Sequence, residues 1–208
     1  MTDVSRQDTR GGRLVSHAVR GKMEDGNVVL GPKDGELKAE MNRAIVLASG
    51  NLGLIYFTGW DERMSLEQIN QAFPALIPGL LKYPQIGFVM VRSEEHGPLV
   101  LGSKGVYHLE GDLLDGENPL AAYGPNAAMH LLREDSFFNA PDLLINSFYN
   151  PMTGEVAAFE ELVGSHGGLG GEQSHGILVY PANLDAGSEP IIGAGRLHQI
   201  IKQWVPEM

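Results

Sequence analysis

Short apolar segments with strand character alternate along this chain with segments of helical periodicity, and this alternation limits the possible folds most. Residues 44–48 and 52–58 are apolar runs separated by the turn signal Ser49-Gly50-Asn51, a pattern typical of two buried strands. Another strand-like run covers residues 86–91. Because strands and helices are interleaved throughout, the sequence predicts an α/β or mixed-sheet layer architecture rather than an all-helical or all-β one.

Helix signals and further strands fill the intervals. Ser65 followed by Gln68 resembles a capping box, and the helical spacing after it is interrupted at Pro78 and Gly79. The other predicted elements, in chain order, are a hairpin of residues 99–101 and 106–109, a helix from Asn126 to about Arg133, strands at 142–146 and 177–180, and a closing amphipathic helix with Leu197, Ile200, Ile201 and Trp204 on one face.

The amino-terminal residues 1–43 differ from the rest of the chain. They are polar and charged, and their apolar pieces are too short to bury much surface. We therefore expect residues 1–43 to be a flexible arm or linker remnant, and residues 44–208 to form the α/β domain.

The charge and cysteine content exclude several classes of function. Fifteen basic residues against 26 acidic ones give a formal charge of −11, which disfavours binding to nucleic acid or anionic membranes. The absence of cysteine removes disulfides, thiolate nucleophiles and cysteine zinc sites. No long apolar run and no export signal occur, so we expect a cytoplasmic chain that does not itself insert into a membrane.

The segment most informative about chemistry is residues 164–176, called here the Gly/His loop, in which six glycines surround His166 and His175. Such glycine density allows backbone to approach a ligand closely, although it costs folding entropy. Imidazole is the main zinc ligand when cysteine is absent, so His166 is the candidate metal ligand. His175 is a weaker candidate for a metal or substrate contact, and Gly167 and Gly168 for backbone contacts. The alternative is a surface loop whose histidines bond only its own backbone.

Other chemistries are less favoured. The loop lacks the Gly-Lys-Ser/Thr ending of a P-loop, and no Gly-x-Ser-x-Gly elbow supports a Ser-His-Asp triad. His96 and His108 are interpreted as surface or packing residues. His130 and His198 lie on predicted helices without a second histidine four residues later, so there is no helical zinc-binding pair. Three carboxylates before the loop could orient a ligating histidine, although solvated surface positions are the simpler interpretation: Glu155, Glu160 and Glu161.

From about residue 44 onwards the chain resembles the final third of the type I phosphodiesterase/nucleotide pyrophosphatase branch of the alkaline phosphatase superfamily. The resemblance rests on residues 141–145 as a strand beginning Pro-Asp-Leu, on the turn Gly164-Ser-His-Gly167, and on the apolar run 176–181. Runs similar to 48–57 and 159–168 occur in bacterial proteins that join this region to a holin-like membrane segment.

This resemblance implies a partial α/β/α sandwich with a mixed sheet, helices on its faces and a β-hairpin insertion. It also implies two divalent metal ions, zinc or manganese, and a Thr or Ser nucleophile that attacks a phosphoester. Only His166 carries over to this sequence, so no catalytic residue is assigned. One histidine cannot hold two metals, and we therefore expect no activity from the chain alone.

Two further interpretations stay open. The chain could be a non-catalytic α/β module that binds a partner or a small anion through the Gly/His loop, or its two histidines could hold a structural metal. The expected partners are an amino-terminal companion segment, a second copy paired at an open sheet edge, a phosphoester small molecule and, through association only, a membrane-anchored protein.

Overall fold

A computed structural model describes residues 23–24, 27–28, 44–160 and 164–205. Its central element is a seven-stranded sheet with the spatial order β3-β4-β9-β5-β6-β7-β8, and every described pair in it is antiparallel. The strands are β1 Met23–Glu24, β2 Asn27–Val28, β3 Ala44–Ser49, β4 Leu52–Phe57, β5 Ile86–Ser93, β6 Gly97–Leu101, β7 Gly105–His108, β8 Leu113–Gly116, β9 Leu143–Ser147, β10 Tyr149–Asn150 and β11 Glu155–Val156. Strands β1 and β2 pair with each other, as do β10 and β11.

Among the residues that the structure describes, four α-helices and one 3-10 helix accompany the strands. They are α1 Leu66–Ala72, α2 Leu76–Leu80, α3 Ala127–Asp135, the 3-10 helix Glu172–Ser174 and α4 Gly193–Trp204. The capping box predicted at Ser65 is present, because its hydroxyl accepts from the Gln68 backbone while the Gln68 side chain accepts from the Ser65 backbone. Helix α1 ends at Phe73 because Pro74 follows it and disfavours helical backbone there.

The sheet is covered on both faces, which confirms the α/β fold class. Successive residues of β5 alternate between two cores, since Val89 packs with the residues of α1 and α2 and Met90 packs with those of α3. One core is centred on Ile69, Val89, Val91, Leu143 and Ile145, and the other on Phe88, Met90, Val100, Leu131 and Leu144. The chain therefore forms three layers, with helices on either side of the sheet.

The central position of β9 shapes one end of this sheet. Strand β4 pairs with β9 through Leu52 and Asn146, and β5 pairs with β9 on its other side. The carboxyl end of β9 therefore lies beside the turn that joins β3 to β4. The Gly/His loop packs against this end of the sheet.

Several details differ from the sequence-based expectation. The expected mixed sheet is antiparallel at every described pair, because β9 returns from α3 in the direction opposite to both of its neighbours. The predicted hairpin of β6 and β7 is part of this sheet rather than an insertion. Residues 177–180 are not a strand, and Ile177 and Val179 are about nine-tenths exposed. Most of the predicted arm, residues 1–43, lies outside the described residues.

Candidate functional site

A tight turn brings the end of β3 against the Gly/His loop. Gly50 and Asn51 form the two-residue turn between Ser49 and Leu52, and Gly50 has a φ of +59°. A Cβ at Gly50 would lie 2.0 Å from the carbonyl oxygen of His166, so only glycine fits this contact. The Asn51 backbone N–H donates to that same carbonyl at 3.0 Å. The backbone at His166 is therefore held directly against the turn.

Two buried asparagine side chains fix the next part of the loop. Asn51 accepts from the Gly168 N–H at 2.9 Å and donates to the Leu169 carbonyl at 3.1 Å. Asn146, at the end of β9, accepts from the Leu169 N–H at 2.7 Å and donates to the same Leu169 carbonyl at 3.1 Å. Both asparagines are almost completely buried. Because a buried amide without these partners would be costly, the pair specifies one conformation for the loop.

The His166 imidazole lies on the exposed side of this fixed backbone. Its Nδ1 is 3.5 Å from the Ser49 hydroxyl oxygen, a long contact, and the ring is otherwise exposed. Nearby, the Glu160 carboxylate accepts from the Gly50 N–H at 2.7 Å, and the Gly50 carbonyl accepts from the Phe159 N–H at 2.7 Å. Glu160, one of the carboxylates singled out in the sequence, therefore anchors the turn. Glu161 lies outside the described residues, and Glu155 is an exposed partner of Thr153.

The other sequence-predicted residues of the loop have different environments. His175 is exposed, and its Nδ1 is 3.0 Å from the Glu172 carboxylate, within the loop itself. The Gly168 N–H is bonded to Asn51, and a Cβ at Gly168 would lie 2.5 Å from the Asn146 side-chain oxygen. Gly167 has a φ of +93° and lies against the Ser49 carbonyl. The two glycines thus allow the loop to approach the asparagines.

The described residues do not form a complete metal site. Within 44–160 and 164–205, no three His, Asp or Glu side chains come together in a way that could hold a metal ion. The sequence-predicted ligand His166 is a single imidazole, whereas zinc in proteins takes about four ligands. The expected two-metal centre therefore does not fit the described part of the chain alone.

Two of the remaining histidines meet elsewhere. The rings of His96 and His108 make an edge-to-face contact with centroids 5.4 Å apart, and His108 Nε2 lies 2.9 Å from the Asp115 carboxylate. This pair lies at the β6–β7–β8 side of the sheet, far along the strand order from the turn at Gly50. The interpretation of both as surface or packing residues stays a prediction.

The asparagines are the residues that sequence reasoning missed. Asn146 ends an apolar strand, and Asn51 belongs to a turn signal, so each has an ordinary local explanation. No local sequence signal distinguishes either asparagine as a partner of the Gly/His loop, because the bonded residues are far apart in sequence. Only the tertiary arrangement brings both amides to one loop.

Comparison with known proteins returns no match to a family model, to a curated protein or to a solved structure. No helix in the described part of the chain is long and apolar enough to cross a membrane.

Proposed function

We propose that this chain supplies one wall of the active site of a metal-dependent phosphodiesterase or phosphatase, with His166 as its metal-ligating residue. The nucleophile and the other ligands then come from a companion polypeptide, and the chain alone hydrolyses nothing. The resemblance at residues 141–145 and 164–167 suggests this reaction class.

The observation that carries the proposal is an exposed imidazole on an immobilised backbone. His166 is solvent-accessible, yet its carbonyl and the two residues after Gly167 are bonded to the buried amide groups of Asn51 and Asn146. A metal ligand needs this combination, because the ring must reach the ion while its backbone stays in place. A histidine of an ordinary surface loop would not need its backbone to be held by two buried asparagine residues.

The test is reconstitution. The purified chain is mixed with the polypeptide encoded immediately upstream of it, and hydrolysis of a nitrophenyl phosphodiester is followed with zinc or manganese. We expect activity from the mixture only. A mixture that binds but stays inactive with either metal would reject the proposed function.

Matched variants separate a ligand from a merely structural residue. His166→Ala should lower the activity of the mixture by more than about 100-fold, since loss of groups that only support a ligand already costs about 10–100-fold. His175→Ala removes an exposed imidazole from the same loop and should leave the activity within about two-fold. Equal losses in both variants would contradict the assignment of His166.

A second candidate is a non-catalytic interaction module, and exposed apolar surface favours it. Ile177 and Val179 are 92% and 87% exposed, and the neighbouring Tyr180 ring contacts the Trp204 ring in a tilted arrangement with centroids 5.0 Å apart. Scattered exposed apolar residues are ordinary, but a run of them commonly marks a contact surface. Tight binding of the companion, with no hydrolysis under any metal condition, would favour this function over the first.

A further inference from the structure

Strand β8 forms one outer edge of the central sheet. It pairs with β7 from Gly105–Gly116 to His108–Leu113, and among the described residues no strand pairs with its other side. Alternate residues of an antiparallel edge strand direct their N–H and C=O groups away from the sheet. The outer side of β8 therefore presents unpaired backbone groups, which can accept another strand.

The side chains of β8 are unusually apolar for a solvent-exposed edge strand. All four residues of β8 are exposed, and Leu113 and Leu114 retain 62% and 46% of their accessible surface. Because consecutive residues of a strand face opposite sides of a sheet, the two leucines offer apolar contact on both faces of an added strand.

Carboxylates surround the two leucines. The sequence from 110 to 117 contains four acidic residues and no basic one: Glu110, Asp112, Asp115 and Glu117. Asp115 contacts His108, and Glu117 contacts Lys104 through an exposed ion pair. Exposed pairs of this kind leave much of the negative field available to a ligand.

An open cleft of about 510 Å³ adjoins the same edge. Leu113 and Glu110 line it together with Glu95 and the imidazoles of His96 and His108. Arg92 also borders the cleft, and its guanidinium pairs with the buried carboxylate of Asp135, which pairs with Arg63 as well. Against this one arginine the cleft is lined by the carboxylates of Glu94, Glu95 and Glu110, so the charge that a ligand meets there is predominantly negative.

We infer that the β8 edge binds an extended, basic peptide segment of another protein, in which lysine or arginine alternates with apolar residues. The peptide adds as an eighth strand and its backbone bonds to β8. Its apolar side chains lie on one face and contact Leu114, while its cationic side chains lie on the other face, where their aliphatic stems contact Leu113 and one charged end enters the cleft beside Glu95 and Glu110. Charge complementarity selects this occupant over a second copy, because a second β8 would bring four more carboxylates to the edge.

The experiment titrates the full-length, isotope-labelled chain with a capped peptide of about seven residues of alternating lysine and valine. We expect chemical-shift changes at the β8 amides and in the cleft, and weaker binding at higher salt. A peptide of alternating glutamate and valine should not bind. A lysine-valine peptide N-methylated at two consecutive central residues should bind at least about ten-fold more weakly, because one of the two N–H groups removed faces β8 whichever residues pair with it.

Charge variants of the chain provide the matched control. Replacing both Glu95 and Glu110 with lysine should weaken the binding of the lysine-valine peptide by about ten-fold or more. Replacing Glu155 and Glu189 with lysine, two exposed residues that do not line the cleft, makes the same change in net charge and should alter affinity less than about two-fold. Equal effects of the two pairs would overturn the inference, as would undiminished binding of the N-methylated peptide.

Two other occupants would also overturn it. A chain that sediments as a dimer, dissociates on Leu113→Lys and ignores the peptide would assign the edge to a second copy. A clear gain in peptide affinity on replacing four amino-terminal arginines with serine would assign it to the chain's own first residues: Arg6, Arg10, Arg13 and Arg20.

Discussion

Replacing Asn146 with alanine should weaken the attachment of the Gly/His loop and destabilise the whole domain. The amide of Asn146 accepts from the Leu169 N–H and donates to the carbonyl oxygens of Leu169 and Ser147, at distances of 2.7 to 3.1 Å. It is 1% exposed, so water does not readily replace these partners. Three bonds are lost, each worth about 0.5–1.5 kcal/mol, or roughly 1.5–4.5 kcal/mol together.

The expected loss is about 2–4 kcal/mol in the free energy of unfolding, or roughly 4–16 °C in Tm for a chain of this size. Urea unfolding measures the energy, and amide hydrogen exchange at Gly168 and Leu169 reports the loop directly. Asn139→Ala, at an exposed asparagine, should change stability by less than about 0.5 kcal/mol. If Asn146→Ala is as stable as Asn139→Ala and hydrogen exchange at the Leu169 amide is unchanged, Asn146 does not anchor the Gly/His loop.

Three further outcomes follow from single positions. Gly50→Ala should lower the free energy of unfolding by about 1–3 kcal/mol from backbone strain alone, because φ is +59°, and the new methyl group also meets the His166 carbonyl. The control Gly79→Ala, within α2 and facing open space, should be neutral or stabilising when both variants are unfolded in urea. Burial raises the pKa of Tyr123 from its ordinary value of 10.0 to about 12. The neutral phenol therefore stabilises the fold fully below pH 10, and this stabilisation is lost as the pH rises towards 12. Tyr123→Phe should flatten that alkaline loss, and an unchanged pH profile would disprove this origin. Asp142→Ala should destabilise the domain by about 2–4 kcal/mol in urea unfolding, because the buried Asp142 carboxylate accepts from the Phe57 and Met64 N–H groups at 2.7 and 2.5 Å. An unaltered unfolding midpoint would contradict that role.

Local patterns predicted most of the elements because the corresponding signals are local. The turn Ser49-Gly50-Asn51, the capping box at Ser65 and the apolar run at 86–91 all depend on residues close in sequence. The end of the first helix also has a local signal, Pro74 after Phe73, so the helix ends before the interruption predicted at Pro78 and Gly79. Pro78 is tolerated because it lies in the first turn of α2, where its missing N–H has no intrahelical acceptor.

Strand direction and the loop's attachment were harder to predict. The order of helices and strands is compatible with either a mixed or an antiparallel sheet, and only the insertion of β9 between β4 and β5 decides between them. The segment 177–180 has strand composition, but no described strand lies beside it to supply backbone partners, and composition alone does not supply them. The contacts from Asn51 and Asn146 to the loop span more than 20 residues, so no local pattern could reveal them.

The most direct test of the central claim is paramagnetic broadening of histidine ring signals by Mn²⁺, measured on the chain together with its upstream companion. We predict that the His166 ring signals broaden at the lowest metal concentration, whereas those of the exposed His198 stay sharp and the chain without its companion shows no selective effect. If His166 and His198 broaden equally, or if His166 stays sharp while the mixture hydrolyses the diester, His166 is not the metal ligand.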